Sequence, residues 1–191
     1  TEDAARRLSV LDKLCPHFHL SLQSGCDATL KRMNRKYTAE EYYEVCERLR
    51  KYFDNPALTT DVIVGFAGET EEEFAECKAF LEKIKFFETH IFKFSIRKGT
   101  RAAKMENQVA DQIKTKRSNE LLALHAKNSM NYLQEHVGKE LEVLMEEAVV
   151  INEERYFVGH TKEYIRVAVK TEEDYTNRFV TVKAKEILKD L

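Results

Sequence analysis

The chain has 191 residues, a formal net charge of −2, 43% hydrophobic residues and 34% charged residues. That profile suits a globular chain with one medium domain and a small one. Balanced charge excludes a strongly basic nucleic-acid footprint over the whole surface, and no run of 18 apolar residues is present to cross a membrane.

In chain order, residues 1–14 read as a helix tail with Leu8, Leu11 and Leu14 on one face. HFHLSLQ, residues 17–23, reads as a strand, and SGCDATLKRM as a turn at Gly25 and a short helix with Asp27 as its N-cap. Thr38 with Glu41 forms a capping box, opening a helix that runs to about Tyr52 with Tyr42, Cys46 and Leu49 on its buried face. ALTTDVIVG is a second strand whose VIV core predicts burial on both faces, as in a parallel sheet. Thr70 with Glu73 is a second capping box, before a helix that buries Phe74, Cys77, Leu81 and Ile84. THIFKFSI, residues 89–96, is a third strand, RKGTRAAKM a loop, and residues 111–136 a long helix. This β–α alternation predicts an α/β fold with a parallel sheet or barrel. After Gly138 the period changes, and residues 140–145, 156–159, 164–169 and 179–182 read as the short strands of a small all-β module.

Cys15, Cys26, Cys46 and Cys77 lie in no CxxC or CxxxCxxC spacing, so no single segment offers a zinc or iron–sulfur site. Thiols in such positions are expected to be reduced and structural, as in the cytoplasm.

Ligands of α/β sheets bind beyond the carboxyl ends of the strands. Three such ends hold glycine beside polar groups: Gln23-Ser24-Gly25, Gly65 to Glu69, and residues 95–100 with Arg97, Gly99 and Thr100. Together they point to one ligand face. His17 and His19 alternate onto one side of a strand, where a metal pair is less expected than solvent-facing or interior histidines. His90, His125 and His136 are scattered along the chain and single out no site. Glu71, Glu72 and Glu73 sit in a helix's first turn, where acids favour the macrodipole. In the β module, Tyr156, His160, Lys162, Tyr164 and Arg166 interleave aromatic and basic groups around one turn, a pairing suited to RNA bases and phosphates.

HFHLSLQSGCDATLKRMNRKYTAEEY, DVIVGFAGETEEEF and FKFSIRKGTRAAKM, in that order, resemble the second half of the radical S-adenosylmethionine methylthiotransferases, and YFVGHTKEYIRVAV resembles the TRAM module that follows in those enzymes. RKYTAEEY and GHTKEYIRV are most similar to the branch acting on threonylcarbamoyladenosine in tRNA; the other branches act on isopentenyladenosine in tRNA or on an aspartate of a ribosomal protein. The resemblance implies the C-terminal half of a TIM-like β/α barrel over residues 1–136 and a small all-β TRAM barrel over 138–191. It implies S-adenosylmethionine and two 4Fe-4S clusters in the full-length enzyme, with the cluster cysteines absent from this chain.

Carried over residue by residue, Ser21, Gln23 and Ser24 match the segment near the ribose and amino-acid part of S-adenosylmethionine. Asp61, Ile63, Gly65 and Gly68 match the adenine-side segment, and Arg97 the loop at the active-site mouth. Ala67 stands where the family usually has proline, and Glu69 lies one residue beyond the glutamate of the broader superfamily pattern. The resemblance assigns no catalytic residue and no metal ligand here. It makes tRNA, through TRAM, the expected partner and a membrane an unexpected one. A fragment inactive by itself is expected, dimerising through its exposed barrel edges. The reading from another class is a non-catalytic RNA-binding module.

Overall fold

The computed structural model describes residues 1–188. The elements run α1 (Glu2–Leu8), β1 (His17–His19), α2 (Asp27–Arg32), α3 (Ala39–Tyr52), β2 (Ala57–Val64), α4 (Glu71–Ile84), β3 (Glu88–Lys93), α5 (Asp111–Gln134), β4 (Glu140–Ile151), β5 (Glu154–His160), β6 (Arg166–Lys170) and β7 (Phe179–Lys183). They form two compact units, one of Thr1–Asp12 and Phe18–Ser129, the other of Lys13–His17 and Met130–Leu191.

The first unit is α/β, with a three-stranded sheet in the order β1-β2-β3. β2 and β3 run parallel, Asp61 beside His90 and Ile63 beside Phe92. Alternation along a strand sends successive side chains to opposite faces. One set, including Leu22, Leu58, Val62 and Val64, joins Tyr42, Cys46 and Leu49 of α3 and Phe74, Cys77, Leu81 and Ile84 of α4 in one core. The capping boxes at Thr38/Glu41 and Thr70/Glu73 are both formed, so the sequence-level helix starts hold.

Several boundaries depart from the sequence reading. α1 ends at Leu8, and Leu11 is exposed. β1 has three residues, after which the chain meets β2 through Leu20 N–H to the Thr59 carbonyl at 2.9 Å, through the Thr60 hydroxyl, which donates to the Leu20 carbonyl at 2.6 Å and accepts from Leu22 N–H at 3.0 Å, and through a bridge from Gln23 to Val62. The cause lies in side chains: Tyr42 Oη donates to the Leu20 carbonyl at 2.6 Å, and Tyr37 Oη to those of Ser21 and Leu22 at 3.1 and 2.7 Å. Gln23 then takes a left-handed φ of 72°, which breaks the regular strand while its N–H still donates to the Asp61 carbonyl at 2.8 Å and its carbonyl accepts from Ile63 N–H at 2.9 Å. Asp27 is the first helical residue, not the N-cap; its carboxylate accepts from Ala39 N–H at 2.7 Å and ties α2 to the start of α3. β3 stops at Lys93, with Phe94 N–H adding one bond to the Val64 carbonyl. Ile63 is only half-buried, so β2 is not covered on both faces within its own unit.

The second unit carries a four-stranded antiparallel sheet in the order β6-β5-β4-β7. β4 extends to Ile151, longer than expected, with a bulge between Met145 and Glu147. Leu141, Val143, Met145 and Phe157 form its core.

Candidate functional site

The sheet face opposite the first unit's helical core carries His19, Ser21, Thr59, Asp61, Ile63, His90 and Phe92, by the same alternation that buries their neighbours. It is polar and open: His19 is 40% exposed, Asp61 27% and Phe92 53%. His19 Nδ1 lies 3.0 Å from Thr59 Oγ1, and its Nε2 lies 3.2 Å from Asp61 Oδ2. Ser21 Oγ donates to the same carboxylate oxygen at 3.2 Å. Asp61 and Ser21, which the resemblance places in two different segments, therefore meet. His90, which sequence reasoning passed over, joins them: side-chain donor atoms of His19, Asp61 and His90 all lie within 4.8 Å of one another. The signal that could have found it was the parallel register of β2 and β3, which places His90 beside Asp61.

Beyond the strand ends lies a cleft of about 320 Å³, lined by Arg32, Arg35, Ile63, Phe66, Phe94 and Arg101 among others. Phe66 and Phe94 meet edge to face with ring centroids 4.8 Å apart. Arg32 is held by Glu73 and by the Ala67 carbonyl at 3.2 Å. Arg35 and Arg101 form no ion pair among the described residues, so two cations border an apolar slot.

The glycines expected beside the ligand have positive φ, 72° at Gly65 and 77° at Gly68, a region that L side chains enter only at a cost. Their surroundings are protein. A Cβ on Gly65 would stand 2.3 Å from Lys114 Cγ, and one on Gly68 3.4 Å from Arg32 Nε. Gly65 N–H donates to Glu69 Oε2 at 2.7 Å, and Gly68 N–H to the Asn107 carbonyl at 2.8 Å. Glu69 is more than a helix-start residue. Its side chain is 1% exposed and pairs with Arg117 of α5, itself 4% exposed, at 2.7 Å. Burial pushes the Glu69 carboxyl above its usual range, against the Gly65 amide and the Arg117 charge.

The remaining expected residues scatter. Gln23 is buried and ends the irregular segment, and Ser24 is fully buried, its hydroxyl accepting from Cys26 N–H at 3.2 Å. Arg97 is exposed in the loop after β3. Cys26, Cys46 and Cys77 are buried and Cys15 is exposed, all as free thiols. Burial pushes the Cys46 thiol up to about 12 and Cys77 to about 11. Cys77 Sγ accepts from Gly25 N–H at 3.1 Å.

In the second unit, four of the five residues expected to touch RNA gather at the β5–β6 turn. His160 and Tyr164 stack with centroids 4.4 Å apart and planes 13° apart, and Tyr164 is 55% exposed at a φ of 68°. Lys162 pairs with Glu142 at 3.2 Å, Arg166 with Glu147 at 3.6 Å, and His160 Nδ1 lies 2.9 Å from Glu146. Tyr156 sits four positions back along β5, roughly 13 Å away at strand rise, with its hydroxyl donating to Glu154 at 3.3 Å.

A sequence model of the radical SAM superfamily matches residues 1–81. The chain is 42% identical over 184 residues to the threonylcarbamoyladenosine tRNA methylthiotransferase MtaB of Bacillus subtilis (strain 168), covering 96% of this chain and 41% of that protein. The chain is therefore similar, along nearly its whole length, to part of two tRNA-modifying enzymes, and over residues 1–81 to the radical SAM superfamily. It is also 39% identical over 183 residues to a tRNA-2-methylthio-N(6)-dimethylallyladenosine synthase of Clostridium botulinum (strain Langeland), covering 96% of this chain and 40% of that protein. A synthase of the same name from Caldicellulosiruptor saccharolyticus is 39% identical over 176 residues, covering 92% of this chain and 37% of that protein. The chain thus spans about two fifths of the length of the curated relatives it matches. Among the described residues no helix is long and apolar enough to cross a membrane.

Proposed function

We propose that this chain is part of a tRNA methylthiotransferase that adds a methylthio group at C2 of threonylcarbamoyladenosine next to the anticodon, by radical S-adenosylmethionine chemistry. The observation that carries this reading is the 42% identity to MtaB across 96% of the chain. The open polar face that ends in the arginine-bordered cleft is consistent with it. In this reading the β1–β2–β3 sheet is one wall of a barrel, and its open face looks into the interior. The second unit is the TRAM module, whose Tyr164 stacks on both His160 and His17, an aromatic cluster that together with Lys162 and Arg166 suits RNA.

The iron–sulfur clusters are a different matter. Three cysteines are buried, and the one cluster of metal-ligating side chains among the described residues contains no cysteine. No residue of this chain is therefore assigned to a cluster and no step is derived through one. S-adenosylmethionine supplies the radical and the methyl group in this class of chemistry. For it the chain offers a fit: Ile63, Phe66 and Phe94 can flank a purine ring, and Ser21 can engage a ribose. These residues bind and orient; none transfers a proton or acts as nucleophile. The sheet's outer strands leave unpaired edges, which this chain alone would cover by dimerising.

The test is nucleoside analysis of tRNA from cells deleted for the full gene and from cells complemented with it. The methylthio form of threonylcarbamoyladenosine should vanish on deletion and return on complementation. Loss of methylthio-isopentenyladenosine instead would transfer the assignment to the branch of the 39%-identical synthases. No change in either nucleoside would refute both.

A further inference from the structure

We infer that His19, Asp61 and His90 form a binding site for a divalent transition-metal cation of the zinc class. The inference stands on the geometry of the open sheet face and does not rest on the function proposed above.

Three adjacent strands each contribute one donor: His19 from β1, Asp61 from β2 and His90 from β3. Two imidazoles and a carboxylate make a donor set suited to Zn2+ and its neighbours, with a coordination position left open. Zinc–ligand bonds of about 2.0–2.2 Å place tetrahedral neighbours about 3.4 Å apart. His19 Nε2 and Asp61 Oδ2 are already 3.2 Å apart. The His90 donor is within 4.8 Å of both and its side chain is exposed, so a small swing of that ring completes the set.

The supporting contacts suit a metal-bound histidine. Thr59 is 2% exposed, and its hydroxyl lies 3.0 Å from His19 Nδ1. With the proton on Nδ1 and donated to Thr59, the Nε2 lone pair points at Asp61. This is the second contact that metal-bound histidines ordinarily make. In the other tautomer Nε2–H donates to Asp61 and the Thr59 hydroxyl donates to Nδ1; a metal ion at Nε2 takes the place of that proton. Ser21 donates to Asp61 Oδ2 and orients the carboxylate. Among the described residues no lysine or arginine forms an ion pair with Asp61, so its only charge partner is a histidine.

The experiment titrates Zn2+ into the chelator-stripped chain by calorimetry, with Co2+ absorption as a second readout. The Cys15→Ser background removes the exposed thiol. One ion per chain should bind, and Co2+ should show visible d–d bands without a thiolate charge-transfer band. His90→Ala and His90→Gln, both at an exposed site, should weaken binding at least tenfold with the circular dichroism spectrum unchanged. His19→Ala should abolish it. An isotherm that persists in both His90 variants, or no binding at millimolar Zn2+, would overturn the inference. No S-adenosylmethionine or RNA is present in this titration, so its failure leaves the proposed function to its own test.

Discussion

Replacing Arg117 by methionine would leave Glu69 buried without its counter-charge. In the intact protein, Glu69 Oε2 accepts from Arg117 Nη1 at 2.7 Å and from Gly65 N–H at 2.7 Å, and Arg117 Nη1 also donates to the Glu69 carbonyl at 3.1 Å. Breaking a buried pair on one side costs about 3–5 kcal/mol. For a chain of this size that is a fall in melting temperature of roughly 6–20 °C. The cost should depend on pH with a definite sign. Burial already holds the Glu69 carboxyl above its usual range, and loss of Arg117 raises it further. A folded-state value above the unfolded one means proton uptake on folding. The penalty is therefore absent below the unfolded value, grows as pH rises towards the folded one, and is fully present above it. Arg117→Met should be less destabilised at pH 5 than at pH 8. Glu69→Gln removes the titrating carboxyl and leaves Arg117, which does not give up its proton, paired with Glu71 at 3.1 Å, so this site should add no pH dependence to that variant's own stability across the same interval. Urea titrations of the two variants and the parent at both pH values make the comparison. A loss below about 1 kcal/mol for Arg117→Met, or the same pH profile for both variants, would refute the reasoning.

Gly65→Ala should destabilise by at least 1–2 kcal/mol, roughly, since it adds a Cβ at a φ of 72° against Lys114 Cγ; Lys114→Ala should recover the steric part only, as read by thermal denaturation. Thr70→Ala removes the hydroxyl that accepts from Glu73 N–H at 3.2 Å, and about 1 kcal/mol of stability should go with it, measured by urea midpoint. A thiol reagent at pH 8 should label Cys15 quickly and Cys46 and Cys77 only on unfolding, because burial holds those two thiols near 12 and 11. Equal labelling rates for all four in the native chain would contradict their burial.

Local signals carried the helix starts. Thr38 with Glu41 and Thr70 with Glu73 needed only a hydroxyl and a carboxylate three residues apart, and both boxes formed. The second unit's strands were legible for the same reason, since alternation and polar turns are local. Asp27 shows the limit. Its side chain has the chemistry of a cap, yet it accepts from Ala39, twelve residues away. The strand after His19 failed similarly, because Tyr37 and Tyr42 reach back from α3 and its approach to take its carbonyls. Neither contact leaves a trace in the residues it affects.

The sequence by itself determined the periodicities, the capped helices, the glycine-flanked turn after β2 and the family resemblance, because each rests on neighbours along the chain or on residue order. Tertiary structure alone decided what those residues face. It made Glu69 half of a buried pair with Arg117, forty-eight positions on. It turned Ser24 inward while leaving Asp61 and Ser21 on the open face. It also set His90 beside Asp61 through the register of two parallel strands. Register and burial are properties of pairs of distant segments, and no single segment encodes them.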